Sequence, residues 1–177
     1  MNHSTLTVRE TLESMSAFRD FMKFWETEYV HAFPDPDERE PIEDLFVRSA
    51  LSLLSAHYRK DEERGIITNG YVAYIDGRVA GSLVVDYHHR CRCALPIYLY
   101  VPPQYRRDGV GSSLIGASLR RGKTLADTFF FEVERPASQS MDRSITPEDR
   151  MTFYRQLGLK RLQFDYISPP VTKRRLD

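Results

Sequence analysis

Across residues 98–119 the chain reads YLYVPPQYRRDGVGSSLIGASL. An apolar run breaks at two prolines, and Arg106, Gly109 and Gly111 then stand as RxxGxG at the mouth of an amphipathic stretch, residues 110–121. Strand, tight turn, then helix: that order commits the chain to a sheet with a helix laid back across it. Glycine has no Cβ, so the turn can enter backbone regions closed to other residues, and a ligand can lie against bare main chain. The first N–H groups of a helix lack intrahelical partners and sit at the positive end of its dipole, which suits the same turn to an anion such as phosphate. The spacing is not GxGxxG, and Ser112 and Ser113 follow Gly111 where a nucleoside triphosphate loop would continue Gly-Lys-Ser or Gly-Lys-Thr. A triphosphate is therefore disfavoured. Two glycines near a turn can also mean a turn and nothing more.

The remaining pattern supplies a sheet for that helix. Residues 5–11 read as a first strand. A helix over 14–30 places Phe18, Met22, Trp25 and Tyr29 on one stripe at spacings of three and four. The prolines of AFPDPDEREP enforce a loop. Pro41 opens a second helix with Ile42, Leu45, Phe46, Ala50, Leu53 and Leu54 as its apolar stripe, ending near His57 or Tyr58. Residues 70–75 and 78–87 are β-rich and joined by Asp76-Gly77, a strong hairpin signal. Strands follow over 94–101, 128–133 and 162–167. A helix over 146–157 takes Thr146 as N-cap, Pro147 at its first position and Gly158 just past its end. The expected fold class is α/β, of mixed α+β type: a mixed, mostly antiparallel central sheet flanked by helices.

At 177 residues this reads as one domain, 1–177, large enough to bury a core without staples. Residues 168–177 look like a loose tail. Formal charge is balanced, with 25 basic and 25 acidic residues, which argues against a general binder of nucleic acid or of membrane surfaces. No basic start with an apolar run and no bilayer-length apolar segment occurs, so a soluble, cytoplasmic protein is expected. The only cysteines, Cys91 and Cys93, are two apart. On a strand that spacing disfavours a structural disulfide, because alternate side chains project in parallel, and it agrees with a reducing compartment. With His89 the two would share a face of an extended segment, which is zinc-like chemistry. Only three ligands are visible and no C-x-x-C knuckle is present, so no metal is expected.

Two motifs in order carry a family resemblance. RxxGxG after a strand ending in VPP, and FYRQLGL in the 146–157 helix, resemble the acyl-CoA turn and the closing FYxxLGF helix of the GNAT superfamily of acyl-CoA-dependent N-acyltransferases. The resemblance covers residues 94–162, some two fifths of the chain, with Leu159 where phenylalanine is common. It implies an acyl-CoA-binding core over 94–162 and N-terminal helices with an acceptor-side loop over 14–58. The co-substrate it implies is acetyl-CoA or another acyl-CoA. The acceptor implied is a primary amine of a small molecule, acylated by direct attack in a ternary complex. A protein lysine or N-terminal acetyltransferase and a non-catalytic acyl-CoA-binding module stay open as alternatives, and so does a homodimer.

Carried onto this sequence, the resemblance gives the pyrophosphate to main-chain amides across Arg106, Arg107, Asp108, Gly109, Val110, Gly111, Ser112 and Ser113. It gives the pantetheine arm to the backbone of Leu99, Tyr100 and Val101, where a bulge splays the fourth strand from the fifth. Pro96 is compatible with that bulge, since proline is tolerated in strands mainly at edges or bulges. Arg106 is the better placed of the two arginines for phosphate. Tyr154 stands at the family's tyrosine and would protonate the departing thiolate, or else is a core residue. Some members carry a glutamate early in the fourth strand; CALPI here has none. Glu132 and Glu134 alternate along the fifth strand and are the candidate bases, though Glu134 also reads as a solvated strand end. The family's asparagine seven residues before the tyrosine is replaced by Pro147, and a small residue by Arg150. The acidic run Asp35, Asp37, Glu38, Glu40, Glu43 and Asp44 would draw a cationic amine, or is simply solvated surface.

Overall fold

Asp76 and Gly77 both take positive φ, 49° and 79°, which is the turn geometry that matches the twist of a two-residue hairpin. Around it the computed structural model, which describes residues 4–33, 39–58, 65–133 and 145–162, builds a five-stranded sheet. Its strands are β1 (Leu6–Glu10), β2 (Ile66–Ile75), β3 (Arg78–His88), β4 (Cys93–Tyr100) and β5 (Thr128–Phe129), and they lie in sequence order. The first three pairings are antiparallel; β4 and β5 run parallel. The helices are α1 (Met15–Ala32), α2 (Ile42–Tyr58), α3 (Val110–Leu125) and α4 (Pro147–Gln156). The chain forms two compact units, Met1–Ala32 with Pro41–Phe131, and Phe33–Glu40 with Glu132–Asp177. The first holds the sheet and α1 to α3; the second holds α4.

Strands β2 and β3 are buried along nearly their whole length, because helices cover both faces. Side chains alternate accordingly. On one face the Tyr87 hydroxyl donates to the Ser118 carbonyl of α3 at 3.1 Å and meets the Tyr71 hydroxyl at 2.7 Å. On the other, Trp25 of α1 donates through Nε1 to Ser82 Oγ at 3.0 Å, and Arg48 of α2 pairs with Asp86 at 2.8 Å. Thr68 also donates to Asp86, at 2.7 Å.

Several expected elements shift. The inward stripe of α1 is Ala17, Phe21, Phe24, Trp25 and Tyr29; Phe18 and Met22 lie half-buried at its margin. In α2, Leu45 and Leu53 are buried but Leu54 is exposed, and Ser49 and Ser52 point inward instead. Ser52 Oγ accepts the Thr68 N–H at 2.9 Å, so a polar contact with the sheet takes a place the apolar pattern assigned to leucine. Helix α3 runs to Leu125, past the expected 121, and Phe129 packs into the space left by Gly122, where a Cβ would run into the ring. β5 ends at Phe129, not at 133. The expected strand over 162–167 does not begin at Leu162, and residues 163–167 and the tail lie outside the described residues.

Candidate functional site

The site begins where β4 leaves β5. Only two rungs join them, Cys93 to Thr128 and Ala94 to Phe129, with the Phe130 N–H reaching the Ala94 carbonyl at 2.9 Å. From Leu95 onward no described strand pairs with β4 on that side. The cause is local. Pro96 has no N–H to offer a neighbour, and opposite Val84 and Val85 the register jumps from Tyr98 to Pro96, leaving Ile97 as a bulge. The backbone of Leu99 and Tyr100 therefore runs along an opened edge of the sheet, an arrangement with which Pro96 is compatible.

Past Tyr100 the chain turns sharply. Val101 and the buried Pro102 lead into a short 3-10 turn, Pro103–Tyr105, and Arg107 and Gly109 then take φ values of 71° and 78°. Gly109 is the N-cap of α3 in left-handed geometry, and having no side chain it leaves the helix's first N–H groups uncapped. A Cβ on Gly109 would meet nothing within 4 Å. Its constraint is the backbone angle and the open space in front of the amides, not packing. Uncapped amides, the helix dipole and the lack of any acidic residue in the first turn are features that favour an anion.

Each of the predicted cradle residues has a distinct placement. Val110 is buried against the sheet and anchors the helix start; Gly111 and Ser113 are half-buried; Ser112, Arg107 and Asp108 are exposed. Ser112 and Ser113 also line an open cavity of about 410 Å³ with Gly116 and Arg120 of α3 and Leu6 and Val8 of β1. Arg106 lies half-buried on the turn. Its Nε donates to the Val101 carbonyl at 2.9 Å, so its guanidinium braces the end of β4 to the turn. The arginine that is exposed on the turn is Arg107.

One residue that shapes the site escaped sequence reading. Gly81 of β3 lies beneath the junction, and a Cβ there would stand 3.0 Å from the Tyr100 carbonyl and 3.0 Å from Val110 Cγ1. The end of β4 and the start of α3 close over it. An isolated glycine inside a strand pattern is the signal that was available.

In the second unit α4 forms as its caps dictate. Thr146 Oγ accepts the Asp149 N–H at 3.1 Å and Asp149 accepts the Thr146 N–H at 3.0 Å, a reciprocal capping box with Pro147 in the first turn. Gly158, at φ 82°, ends it: its N–H bonds the Arg155 carbonyl, and the Leu159 N–H bonds that of Tyr154. Tyr154 is half-buried beside Phe153, ring centroids 5.2 Å apart. Burial pushes its phenol up, with the Arg150 charge pulling partly back, so it holds its proton at neutral pH. Glu132 is exposed and lies beyond β5. Glu134, Asp35, Asp37 and Glu38 lie outside the described residues. Glu43 and Asp44 are exposed in the first turn of α2, where acids favour the helix dipole. His89 and Cys91 lie in the turn over 89–92 and Cys93 opens β4, so the three do not share one extended segment, and no metal-binding cluster occurs among the described residues. No described helix is long and apolar enough to cross a membrane.

Comparison with known proteins agrees with this architecture. The acetyltransferase (GNAT) domain family matches residues 67–160, more than half of the chain. No curated protein matches the chain by sequence. Among solved structures, the aminoglycoside N-acetyltransferase AAC(6')-Iy in complex with CoA is 14% identical, with a TM-score of 0.60 over 97% of this chain and 98% of that one. A putative GNAT-family acetyltransferase from Bacteroides thetaiotaomicron is 19% identical, with a TM-score of 0.59 over 96% and 80%. The ribosomal-protein-alanine N-acetyltransferase from Brucella melitensis biovar Abortus 2308 is 14% identical, with a TM-score of 0.54 over 93% and 99%. At these identities the likeness is one of fold.

Proposed function

This chain belongs to the GNAT acetyltransferase family, and on that premise we propose that it transfers an acyl group, acetyl by default, from acyl-CoA to a primary amine of a small molecule. The observation that carries the reading is the conjunction of an opened β4 edge with a left-handed, uncapped helix start one turn beyond it. An uncapped helix start with open space where a Gly109 side chain would stand supports a diphosphate there. The small-amine acceptor rests on AAC(6')-Iy, whose complex holds the bisubstrate analog CoA-S-monomethyl-acetylneamine. The cytoplasm is the compartment proposed, and the whole chain is proposed to act as one acyltransferase.

In this scheme the amides from Gly109 to Ser113 hold the pyrophosphate, Arg106 adds charge on the turn, and exposed Arg107 is a weaker second contributor. Arg106 keeps the end of β4 in position. The backbone of Leu99, Tyr100 and Val101 lines the pantetheine arm. Acyl-CoA supplies the thioester carbonyl that a neutral amine attacks. As the nitrogen–carbon bond forms and the carbon–sulfur bond breaks, Tyr154 gives its proton to the departing sulfur. Glu132 or Glu134 takes the proton shed by the amine, through water.

Thermal shift against coenzyme A and a panel of acyl-CoAs tests the reading, because any ligand that binds the folded state alone raises the melting point. Stabilisation, followed by amine-dependent release of free thiol, is expected. No shift at saturating donor would overturn it. A shift without thiol release from any amine would leave a binding module.

A further inference from the structure

The turn between β3 and β4 carries chemistry that acyl transfer does not use. Both of the chain's cysteines are here and both are free thiols. On a strand, side chains two residues apart run parallel. This segment instead turns over residues 89–92: the Arg92 N–H reaches the His89 carbonyl at 3.4 Å, and Arg92, between the two sulfurs, takes φ 49°. The consequence is that the Cys93 side chain folds back onto the backbone of Cys91. Cys93 Sγ donates to the carbonyl of Cys91 at 3.3 Å, and Cys91 Sγ points back to the His88 carbonyl at 3.8 Å. The Cys91 side chain beside it is the largest cause holding the Cys93 thiol above its ordinary range.

The framework fixes this arrangement from outside. The Arg92 guanidinium grips both oxygens of Asp127, at 2.7 and 2.8 Å, and its carbonyl accepts the Asp127 N–H at 2.7 Å. The residue between the sulfurs is thus fastened to the start of β5. Cys91 is exposed and Cys93 half-buried, so a reagent from solvent meets Cys91 first.

We propose that Cys91 and Cys93 form an exchange site for low-molecular-weight disulfides, Cys91 attacking and Cys93 resolving. Cys91, its proton lost to water, attacks one sulfur of R–S–S–R. A protein–SR bond forms, the R–S–S–R bond breaks, and RS⁻ leaves to be protonated by water. Cys93 then loses its proton and attacks Cys91 Sγ, forming the Cys91–Cys93 bond and expelling the second thiol. Two electrons and two protons pass from the dithiol to the small disulfide, leaving two RSH. A ring this small is strained and readily reduced, which suits exchange and not stapling.

Intact-mass analysis of the reduced full chain after exposure to glutathione disulfide tests this. Wild type is expected to become two hydrogens lighter with no adduct. Cys93→Ser should accumulate one glutathione adduct on Cys91, and Cys91→Ser should react about tenfold more slowly. A stable adduct on wild type, or equal rates for the two variants, overturns the proposal. Should either variant fail to fold, phenylarsine oxide on wild type decides: one arsenical per chain must shield both thiols from alkylation, and protection of one or neither overturns it.

Discussion

The β2–β3 hairpin and the β4–β5 pair are both neighbours in one sheet, yet they do opposite work. The hairpin is laddered without a gap from Ile66–His88 to its Asp76-Gly77 turn, apart from one irregularity beside Tyr74. It is buried on both faces. The β4–β5 pair keeps two rungs and then opens. Glycine shows the difference most plainly. Gly70, in the ladder, is required by packing, since a Cβ there would press 2.6 Å from the buried Phe21 ring and 2.7 Å from Thr11 Cγ2. Gly109, beyond the opened strand, is required by its backbone angle while its surroundings stay empty. The paired region is closed on both sides; the unpaired one leaves main chain without a strand partner among the described residues.

The contrast can be broken or sharpened by experiment. The largest effect is expected for Tyr154→Phe, which should lower kcat by about 10²–10⁴-fold, the usual worth of a positioned general acid. KM for acyl-CoA and the melting point should stay near wild type. Turnover unchanged with a true acceptor removes Tyr154 from the chemistry.

Next come the glycines. Gly70→Ala is expected to cost about 1–3 kcal/mol of stability through overpacking, seen in denaturant midpoints, with acyl-CoA affinity of the folded fraction intact. Gly109→Ala is expected to cost about 1–2 kcal/mol through left-handed strain and, unlike Gly70→Ala, to weaken acyl-CoA binding as well. If both variants lose affinity alike, the division of labour between the two regions fails.

The smallest effects are electrostatic and have opposite signs. Glu10, beside Asn69 and Arg121 in the laddered region, has its carboxyl raised, chiefly by burial. The folded state thus prefers the protonated form, and its contribution falls as pH rises through the interval between the unfolded and folded values. Glu10→Gln should raise the melting point at neutral pH and leave it unchanged in acid. Asp127, at the root of the β4–β5 pair, is lowered, chiefly by its hydrogen bonds to Arg92. Its contribution is present above the unfolded value of about 3.9 and is lost as pH falls through the lower folded value. Asp127→Asn should lower the melting point slightly at neutral pH and converge on wild type in strong acid. Melting curves between pH 2 and 8 check both signs.

Much of this was legible from local signals. The Asp76-Gly77 hairpin, the cap-to-cap bounds of α4 and the glycine turn ahead of α3 each depend on one or two residues whose backbone preference is intrinsic, so short windows of sequence suffice. The inward faces of α1 and α2 were less legible. Periodicity picked Phe18 and Leu54 over Phe21 and Ser52, because which face of a helix is buried depends on what the sheet presents to it: the space above Gly70 for Phe21, the Thr68 amide for Ser52. Arg106 read as a phosphate ligand from its place in RxxGxG, and only the fold shows that its Nε also bonds the Val101 carbonyl.

The chain's own residues determined that a strand would end in a turn of bare backbone and that a helix would start there uncapped, since Gly109 and the prolines before it permit little else. Where β5 would stop, and which glycines would be crowded, were tertiary decisions. Strand pairing and close packing are relations between segments distant in sequence, and neither Phe129 nor Gly81 carries in its own neighbourhood the partner that limits it.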